Sequence, residues 1–263
     1  MVLLFLLCLL FPTASGFLKM SAFDAKMHST YDDLARKLYA KYEDQCAGSS
    51  QQYWLCIAGG PGSGKSTMAA ALAERLDALA NVPGFSVVLP MDGYHYSRAQ
   101  LREIGERPGS EYNYEQLIAR RGSPWTFDAP ALCAALSAAK AARSGTLATY
   151  SRQKSDPVPG GVELKKSHRV VIVEGNYLLN YDDPLWAPLQ ELFDERWYLS
   201  CASLEDQRKR LIKRHLETWS DDKTRMWGPG EAGAAAKADA NDMLNAQFIA
   251  TTAQYADLAI VSR

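Results

Sequence analysis

The chain has 263 residues, of which 47% are hydrophobic and 22% are charged, close to the average of folded globular proteins. This length can bury a full core and favours one large domain, or one domain with a lid, over an array of repeats, and the composition excludes wholesale disorder. The 29 basic and 30 acidic residues leave a net charge of −1, too little positive charge to attract a nucleic-acid duplex, and we expect no nucleic-acid partner.

The first predicted elements flank a glycine-rich loop. Apolar residues at spacings of three and four predict an amphipathic helix over Ala22–Gln45. The β-prone run Gln52–Ala58 predicts a strand, and an Ala- and Leu-rich stretch after the loop predicts a helix that ends near Leu79. Strand, glycine loop and helix thus follow one another directly.

Later elements alternate between strands and helices. Val170–Val173 is apolar throughout, which is typical of a strand buried on both faces of a parallel sheet. The other predicted strands are Phe85–Leu89, Trp197–Leu199 and Leu258–Val261, and the other predicted helices are Ala129–Arg143, Asp183–Asp194 and one that begins after Ser203. The alternation predicts an α/β fold with a doubly wound, mostly parallel sheet and helices on both faces. The Gly- and Ala-rich stretch Gly228–Ala240 is interpreted as a mobile lid segment.

The cysteines are predicted to be free thiols. No pair has the C-x-x-C spacing of a zinc or thioredoxin site. Cys56 and Cys133 have apolar neighbours and are expected to be small core residues. The five cysteines are Cys8, Cys46, Cys56, Cys133 and Cys201.

The glycine-rich loop matches the pattern G-x-x-x-x-G-K-[ST] of a phosphate-binding loop. Residues without Cβ let successive backbone N–H groups point at a phosphate, and the following helix adds the partial positive charge of its N-terminus. Lys65 is expected to reach the β- and γ-phosphates, and Ser66 to ligate magnesium. The strand before the loop and the helix after it argue against a chance glycine turn, so we predict nucleoside triphosphate binding, which kinases, ATPases and GTPases share. The predicted phosphate-binding residues are Gly59, Gly60, Pro61, Gly62, Ser63, Gly64, Lys65, Ser66 and Thr67.

Three further motifs carry a family resemblance. They are LPMDGYH at Leu89–His95, RRGSPWTFD at Arg120–Asp128 and VEGNYLL at Val173–Leu179. With the loop, and in this order, they resemble the phosphoribulokinase and uridine kinase family, including its pantothenate kinase members, from about Gln52 to Ser262. The match is closest to an uncharacterised nucleoside-kinase-like branch. The resemblance implies a P-loop NTPase fold over residues 21–263 with a helical lid at about 204–240, and the use of ATP and Mg²⁺.

Two acidic residues follow predicted strands, where ligands bind in open α/β sheets. Asp92 lies just past the second strand, and the resemblance implies that it is the general base that accepts a proton from the substrate hydroxyl. The alternative is a turn or helix-cap aspartate beside Gly93. Glu174 ends the Val170 strand, and the resemblance assigns it, with Ser66, to magnesium or its water shell.

The resemblance also assigns residues to the acceptor side of the site. Asp128 suits two roles equally well, a contact with substrate hydroxyl groups and an N-cap for the helix that follows it. A lone histidine such as His95 is more often a hydrogen-bonded structural residue than a ligand-binding one. Arg152 suits either a bidentate contact to an anionic group of the substrate or a solvated loop. The predicted substrate-binding residues are Tyr94, His95, Arg121, Asp128 and Arg152.

Basic residues crowd the predicted helix after Ser203. Like charges at spacings of three and four destabilise a helix unless an anion or an acidic face meets them. By resemblance this is the lid helix, in which Arg210 and Arg214 close on the triphosphate as catalytic residues. The alternative is a solvated helix face paired with Glu205 and Asp206.

A late element, Asn241-Asp242 with Asn245, resembles the family pattern N-D-x-x-N-A. Met243-Leu244 departs from the proline that is common there. A role at the nucleotide site and a structural capping role both stay open.

Residues 1–20 are a candidate leader. The apolar run Met1–Leu10 with the small residues after it resembles a secretory signal and is too short to span a bilayer. No Lys or Arg precedes the run, and an ATP-dependent enzyme needs a nucleotide-rich compartment, which favours the cytosol or an organelle. A cleaved leader, an N-terminal anchor and an upstream extension of a chain that starts at Met20 stay open, and we expect no stable membrane insertion.

The sequence predicts an ATP-dependent kinase that phosphorylates a hydroxyl group of a small metabolite. Asp92 and the Asp128 loop favour this over a regulatory nucleotide-binding ATPase without a small acceptor, and the net charge disfavours a polynucleotide kinase. Uridine, cytidine, pantothenate and sugars stay open as acceptors. A homo-oligomer is compatible with the composition.

Overall fold

The computed structural model describes residues 22–262, so the candidate leader at residues 1–20 lies outside the described residues. Its centre is a five-stranded sheet of order β2-β5-β1-β6-β7, in which all neighbours are parallel. These strands are β1 (Tyr53–Ala58), β2 (Ser86–Pro90), β5 (Val170–Gly175), β6 (Glu195–Cys201) and β7 (Leu258–Ser262), while β3 (Gly145–Ser151) and β4 (Asp156–Leu164) form a separate antiparallel hairpin.

The helices of residues 22–262 are α1 (Ala22–Gln45), α2 (Lys65–Ala80), α3 (Arg98–Glu106), α4 (Tyr114–Ala119), α5 (Ala129–Ala142), α6 (Leu204–Glu217), α7 (Asp221–Trp227), α8 (Gly230–Lys237) and α9 (Met243–Ala250). As predicted, helices cover both faces of the sheet, α1 and α2 on one face and α5 and α9 on the other. Strand β1 shows the layering, because its alternate side chains point to opposite faces. Trp54 and Cys56 pack with residues of α5 and α9, whereas Leu55 and Ile57 pack with residues of α1 and α2. The doubly wound α/β prediction is confirmed.

The short helix predicted at Asp183–Asp194 is present only in part, as a 3₁₀-helix. The segment forms single turns with hydrogen bonds from Trp186 N to Asp183 O (2.9 Å) and from Leu189 N to Trp186 O (3.0 Å), and a 3₁₀-helix spans Ala187–Leu192. Pro188 has no N–H to donate to the carbonyl four residues earlier, and its ring crowds that carbonyl. The chain therefore makes tight turns in place of an α-helix.

The hairpin β3–β4 packs against the turn that follows β2. This turn is a 3₁₀-helix over Met91–Tyr94, and it carries the DGYH motif. Gly93 approaches the backbone of β3 so closely that a Cβ at this position would overlap the carbonyl of Ala148. The hairpin thus lies directly beside Asp92.

The helices α6, α7 and α8 form a helical region with its own small core. Leu211 and Ile212 of α6 pack against Ala234 of α8 and Ala238, which begins a π-turn over Ala238–Asp242. The stretch interpreted as a mobile lid segment is therefore mostly helical. Whether the helical region moves stays a prediction.

The prediction of free thiols is confirmed for the cysteines within the described residues. Cys46, Cys56, Cys133 and Cys201 are buried free thiols. Among the helices of residues 22–262, none combines the length and the apolar character needed to cross a membrane.

Candidate phosphoryl-transfer site

The phosphate loop lies between β1 and α2 at the carboxyl edge of the sheet. Gly62 and Gly64 have φ angles of 80° and 97°, a left-handed backbone that side chains with Cβ rarely adopt. Lys65 is buried, and its Nζ donates a 3.0 Å hydrogen bond to Gly60 O. Burial lowers the pKa of Lys65, and the nearby carboxylates of Glu174 and Asp92 oppose this effect. The loop is thus built as the sequence predicted, with its lysine folded back over it.

Glu174 stands beside the loop because β5 neighbours β1, and the register pairs Ile57 with Glu174. The Ser66 hydroxyl donates to Glu174 Oε1 at 3.1 Å, and the Glu174 side chain is buried. Burial raises the pKa of Glu174, while the charge of Lys65 and the Ser66 hydrogen bond lower it. One carboxylate and one hydroxyl fit Mg²⁺, which usually keeps several waters and takes its other ligands from substrate phosphates. The described part of the chain contains no group of three or more His, Cys, Asp or Glu residues that could hold a metal ion.

Asp92 reaches the same place from β2. The register pairs Pro90 with Glu174, and the turn Met91–Tyr94 begins at the next residue. The charge of Asp92 acts on both Lys65 and Glu174. The structure therefore brings together three residues, Asp92, Glu174 and Lys65, from the carboxyl ends of three adjacent strands, where open α/β sheets bind ligands.

The position of Asp92 depends on its neighbour Gly93. Because a Cβ there would overlap Ala148 O, we expect Gly93→Ala to push the turn away from β3, to lower the free energy of unfolding by about 1–3 kcal/mol and to reduce turnover. Gly145→Ala is the matched control, since a Cβ at this β3 glycine would make an ordinary 3.5 Å contact with Ala139. Chemical denaturation measures both variants, and equal stability of the two would contradict this account.

His95 and Tyr94 connect the DGYH and RRGSPWTFD motifs. Asp128 N donates to Tyr94 O at 2.8 Å. The His95 ring lies 3.9 Å from the Phe127 ring centroid, and its Nδ1 is 2.9 Å from Asp92 O. Because a carbonyl only accepts, this Nδ1 carries the hydrogen. Burial lowers the pKa of His95, which favours the neutral ring. The His95 ring therefore anchors the backbone of Asp92, and a contact with substrate stays a prediction.

Arg121 is already engaged by the protein. Its Nη2 donates to Tyr96 O (2.8 Å) and to Asp156 Oδ1 (2.9 Å), and Nη1 donates to Ser155 O. The guanidinium also lies over the Tyr150 ring, 5.6 Å from its centroid. These contacts hold the tip of the hairpin, and a contact of Arg121 with substrate stays a prediction.

Asp128 and Arg152 lie at the rim of this arrangement. Asp128 caps α5, because its Oδ1 accepts from Ala131 N at 3.0 Å. This is the structural alternative that the sequence left open, and a further substrate contact stays a prediction. Arg152 is exposed in the hairpin turn, and its charge lowers the pKa of Glu174, against the larger effect of burial. Arg152 is thus close enough to act on the site electrostatically.

The two predicted lid arginines differ in position. Arg214 acts on Lys65, since its charge adds to the effect of burial in lowering the pKa of Lys65. Arg210 instead donates to Ser262 Oγ at 2.8 Å and to Cys201 Sγ at 3.6 Å, behind the loop. Arg214 shares a face of α6 with Gln207 and Leu211, which contact the phosphate loop at Pro61 and Gly62. The closure of either arginine on a triphosphate stays a prediction.

Other cations surround Arg214. Burial lowers the pKa of both Lys223 and Lys237, and the charge of Arg214 lowers each of them further. Like charges held this close destabilise one another unless an anion binds between them. Asp242 supplies such a negative charge, because it raises the pKa of Lys237 and pairs with Arg214 at 3.4 Å.

Sequence analysis missed several contacts that hold the site together. Gln207 Nε2 donates to Pro61 O at 2.8 Å, which fixes α6 against the phosphate loop. Asn245 Oδ1 accepts from Ser123 Oγ at 3.1 Å, and Asn241 Nδ2 donates to Arg121 O at 2.8 Å. The spacing of Asn241 and Asn245, four residues apart on one helix face, was a usable signal for a shared partner.

Comparison with known proteins gives relatives along most of the chain. No family model matches. A Schizosaccharomyces pombe protein named "Putative uridine kinase C227.14" is 31% identical over 228 residues, which are 86% of this chain and 88% of that protein. A solved structure named "putative fructose transport system kinase" from Silicibacter sp. TM1040 has a TM-score of 0.71 and 29% identity, over 88% of this chain and 98% of that one. The YFH7 structure from Saccharomyces cerevisiae, with a TM-score of 0.66 and 19% identity over 90% of this chain and 99% of that one, supports the fold alone.

Proposed function

Because the chain belongs to the phosphoribulokinase and uridine kinase family of ATP-dependent P-loop kinases, we propose that it transfers the γ-phosphoryl group of ATP to a hydroxyl group of a sugar or nucleoside. The observation that carries this proposal is the convergence of Lys65, Glu174 and Asp92 at one edge of the sheet. A phosphate anchor, a magnesium-compatible carboxylate and a second carboxylate are the parts that phosphoryl transfer to a hydroxyl needs.

Residues of the loop and the helical region bind ATP in this proposal. The backbone N–H groups at residues 62–65 and the Lys65 ammonium hold the phosphates, and Arg214 approaches them from α6. Glu174 and Ser66 would hold magnesium. When bound, the ion would neutralise charge on the β- and γ-phosphates.

Asp92 acts as the general base. As the acceptor oxygen forms its bond to the γ-phosphorus and the bond to ADP breaks, the hydroxyl proton passes to the Asp92 carboxylate. The backbone of Asp92 is held by His95 Nδ1 and by the close approach of Gly93 to β3. This anchoring supports the proposal, since a base must lie within hydrogen-bond reach of the proton that it removes.

The hairpin β3–β4 supplies the acceptor side. Arg152 in its turn acts on Glu174 electrostatically, and the Tyr150 ring lies 4.9 Å from the His95 ring. Polar and aromatic groups in such a wall suit a small molecule rich in hydroxyl groups. The names of the two relatives mention uridine kinase and fructose transport, and we therefore rank nucleosides and sugars before pantothenate and glycerate.

The test is ATP consumption by the full chain with Mg²⁺ against nucleosides, sugars, pantothenate and glycerate. We expect one nucleoside or sugar to stimulate turnover and to gain a phosphate in mass spectrometry. Stimulation by pantothenate or glycerate alone would contradict the proposed sugar or nucleoside substrate, but the protein would still be a metabolite kinase. Steady hydrolysis that no compound changes would favour a regulatory ATPase over the proposal.

A further inference from the structure

Two adjacent residues of the π-turn contact opposite sides of the site. Asn241, only 1% exposed, donates from Nδ2 to Arg121 O at 2.8 Å on the acceptor side. Asp242, 8% exposed, lies 2.8 Å from His215 Nε2 and 3.4 Å from Arg214 Nη2. A π-turn inserts one residue into a helix and is frequent at functional sites. Here it joins the loop of Arg121 to the arginine that faces Lys65.

The Asp242 carboxylate is held firmly. His215 is itself buried, so its imidazole keeps Asp242 Oδ2 in one place. Burial alone would raise the pKa of Asp242, but the His215 hydrogen bond and the charges of Lys237 and Arg214 lower it below its ordinary value. The carboxylate therefore stays ionised and fixed beside Arg214.

Arg214 uses only part of its binding capacity on Asp242. A guanidinium has five N–H donors, and the contact to Asp242 is a single one at 3.4 Å. Gln207 and Leu211, on the same face of α6 as Arg214, contact the phosphate loop at Pro61 and Gly62, so this face is directed toward the loop that carries Lys65. Donors remain for phosphate oxygens while the carboxylate fixes the direction of the side chain.

We propose that Asp242 is the positioning residue for Arg214, holding its guanidinium toward phosphates bound at Lys65, with Asn241 tying this pair to the acceptor-side loop. The inference rests on the proposed function, because it assumes that a triphosphate binds at Lys65. Its consequence is that the affinity for ATP depends on a carboxylate that lies on the helical region and outside the phosphate loop.

The rival explanation is a plain ion pair that packs α6 against the π-turn. A matched control exists in the same two elements, because Arg208 of α6 makes a bidentate pair with Asp239 at 2.6 and 2.8 Å on the exposed side. Asp239→Asn removes an ion pair between the same segments without touching Arg214. A purely structural role predicts similar behaviour for Asp239→Asn and Asp242→Asn.

The experiment measures the Kd for ATP with Mg²⁺ by titration calorimetry, using the full chain. We expect Arg214→Ala to weaken binding about tenfold and Asp242→Asn about three- to tenfold, as for hydrogen bonds to charged groups. The double variant should lie within about twofold of Arg214→Ala, because two residues that act through one contact are not additive. Asp239→Asn should change Kd by less than about twofold.

Several outcomes would overturn the inference. Tighter ATP binding by Asp242→Asn would show that the carboxylate competes with phosphate, and additive losses in the double variant would show independent roles. If Asp242→Asn does not fold, variants of His215 provide the test. His215→Leu should weaken ATP binding, whereas His215→Gln, which keeps an N–H donor, should bind ATP as wild type does. Equal Kd values for the two His215 variants would reject the proposal. If the wild-type protein does not bind ATP, the proposed function is overturned as well. If the wild-type protein binds ATP and Asp242→Asn leaves the Kd unchanged, this inference alone is overturned.

Discussion

Replacing Lys65 by alanine is expected to abolish measurable ATP turnover, a loss of about three orders of magnitude or more. The Lys65 ammonium is buried in the phosphate loop and lies close to two carboxylates, Glu174 and Asp92. Without it, these carboxylates would face the triphosphate with no positive charge between them, so both binding and transfer should suffer. An assay of ADP release measures the loss.

The fold of this variant should persist. Burial lowers the pKa of Lys65, so burying its charged form costs free energy, and the alanine removes this cost. Burial raises the pKa of Glu174, so this carboxylate can take up a proton when the Lys65 charge is lost. Circular dichroism and thermal unfolding check this. Lys166→Ala, at an exposed position before β5, is the control and should keep wild-type turnover. Wild-type rates in a folded Lys65→Ala protein would reject the phosphate-loop assignment.

The second large effect is expected for Asp92→Asn. An amide of the same shape cannot accept the hydroxyl proton, so phosphoryl transfer should fall by about two to four orders of magnitude. ATP binding should persist, because Lys65 and the loop are unchanged and one negative charge near the phosphates is gone. Calorimetry measures the binding, and mass spectrometry of the acceptor measures the transfer.

The control for Asp92→Asn is Asp44→Asn, at an exposed position near the C-terminal end of α1. Its transfer rate should equal that of wild type. Unchanged transfer in Asp92→Asn would make Asp92 a structural turn residue. Loss of ATP binding in Asp92→Asn would mean that the variant disturbs the loop, and the base assignment would then lose its support.

The central sheet was predictable because its strands carry strong local patterns. Val170–Val173 is apolar on both faces, and the glycine loop fixes the strand before it and the helix after it. The hairpin β3–β4 was missed, since Asp156–Leu164 contains two prolines and two glycines, which interrupt the alternation expected of a strand. Two short helices were also missed, although Ser97 with Gln100 and Asn113 with Gln116 form capping boxes that mark their starts.

The candidate site also has a part that the sequence predicted and a part that it did not. Lys65, Asp92 and Glu174 follow strands of one parallel sheet, so the topology alone brings them together. The contacts of the Arg121 guanidinium were not predicted, because their acceptors, Tyr96 O and Ser155 O, come from two separate segments. Contacts of this kind depend on tertiary packing, and no local pattern in one sequence reveals them.

The separation of the hairpin from the sheet has an evolutionary consequence. In the proposed function, the phosphate-binding residues belong to the sheet and the helix after β1, whereas the wall on the acceptor side belongs to β3–β4, which has no backbone pairing with the five central strands. Substitutions in the hairpin turn can therefore accumulate without cost to the buried strands. Such a chain can change which metabolite it modifies while its energy source stays the same, so members that share the glycine loop can diverge widely in the compound that they phosphorylate.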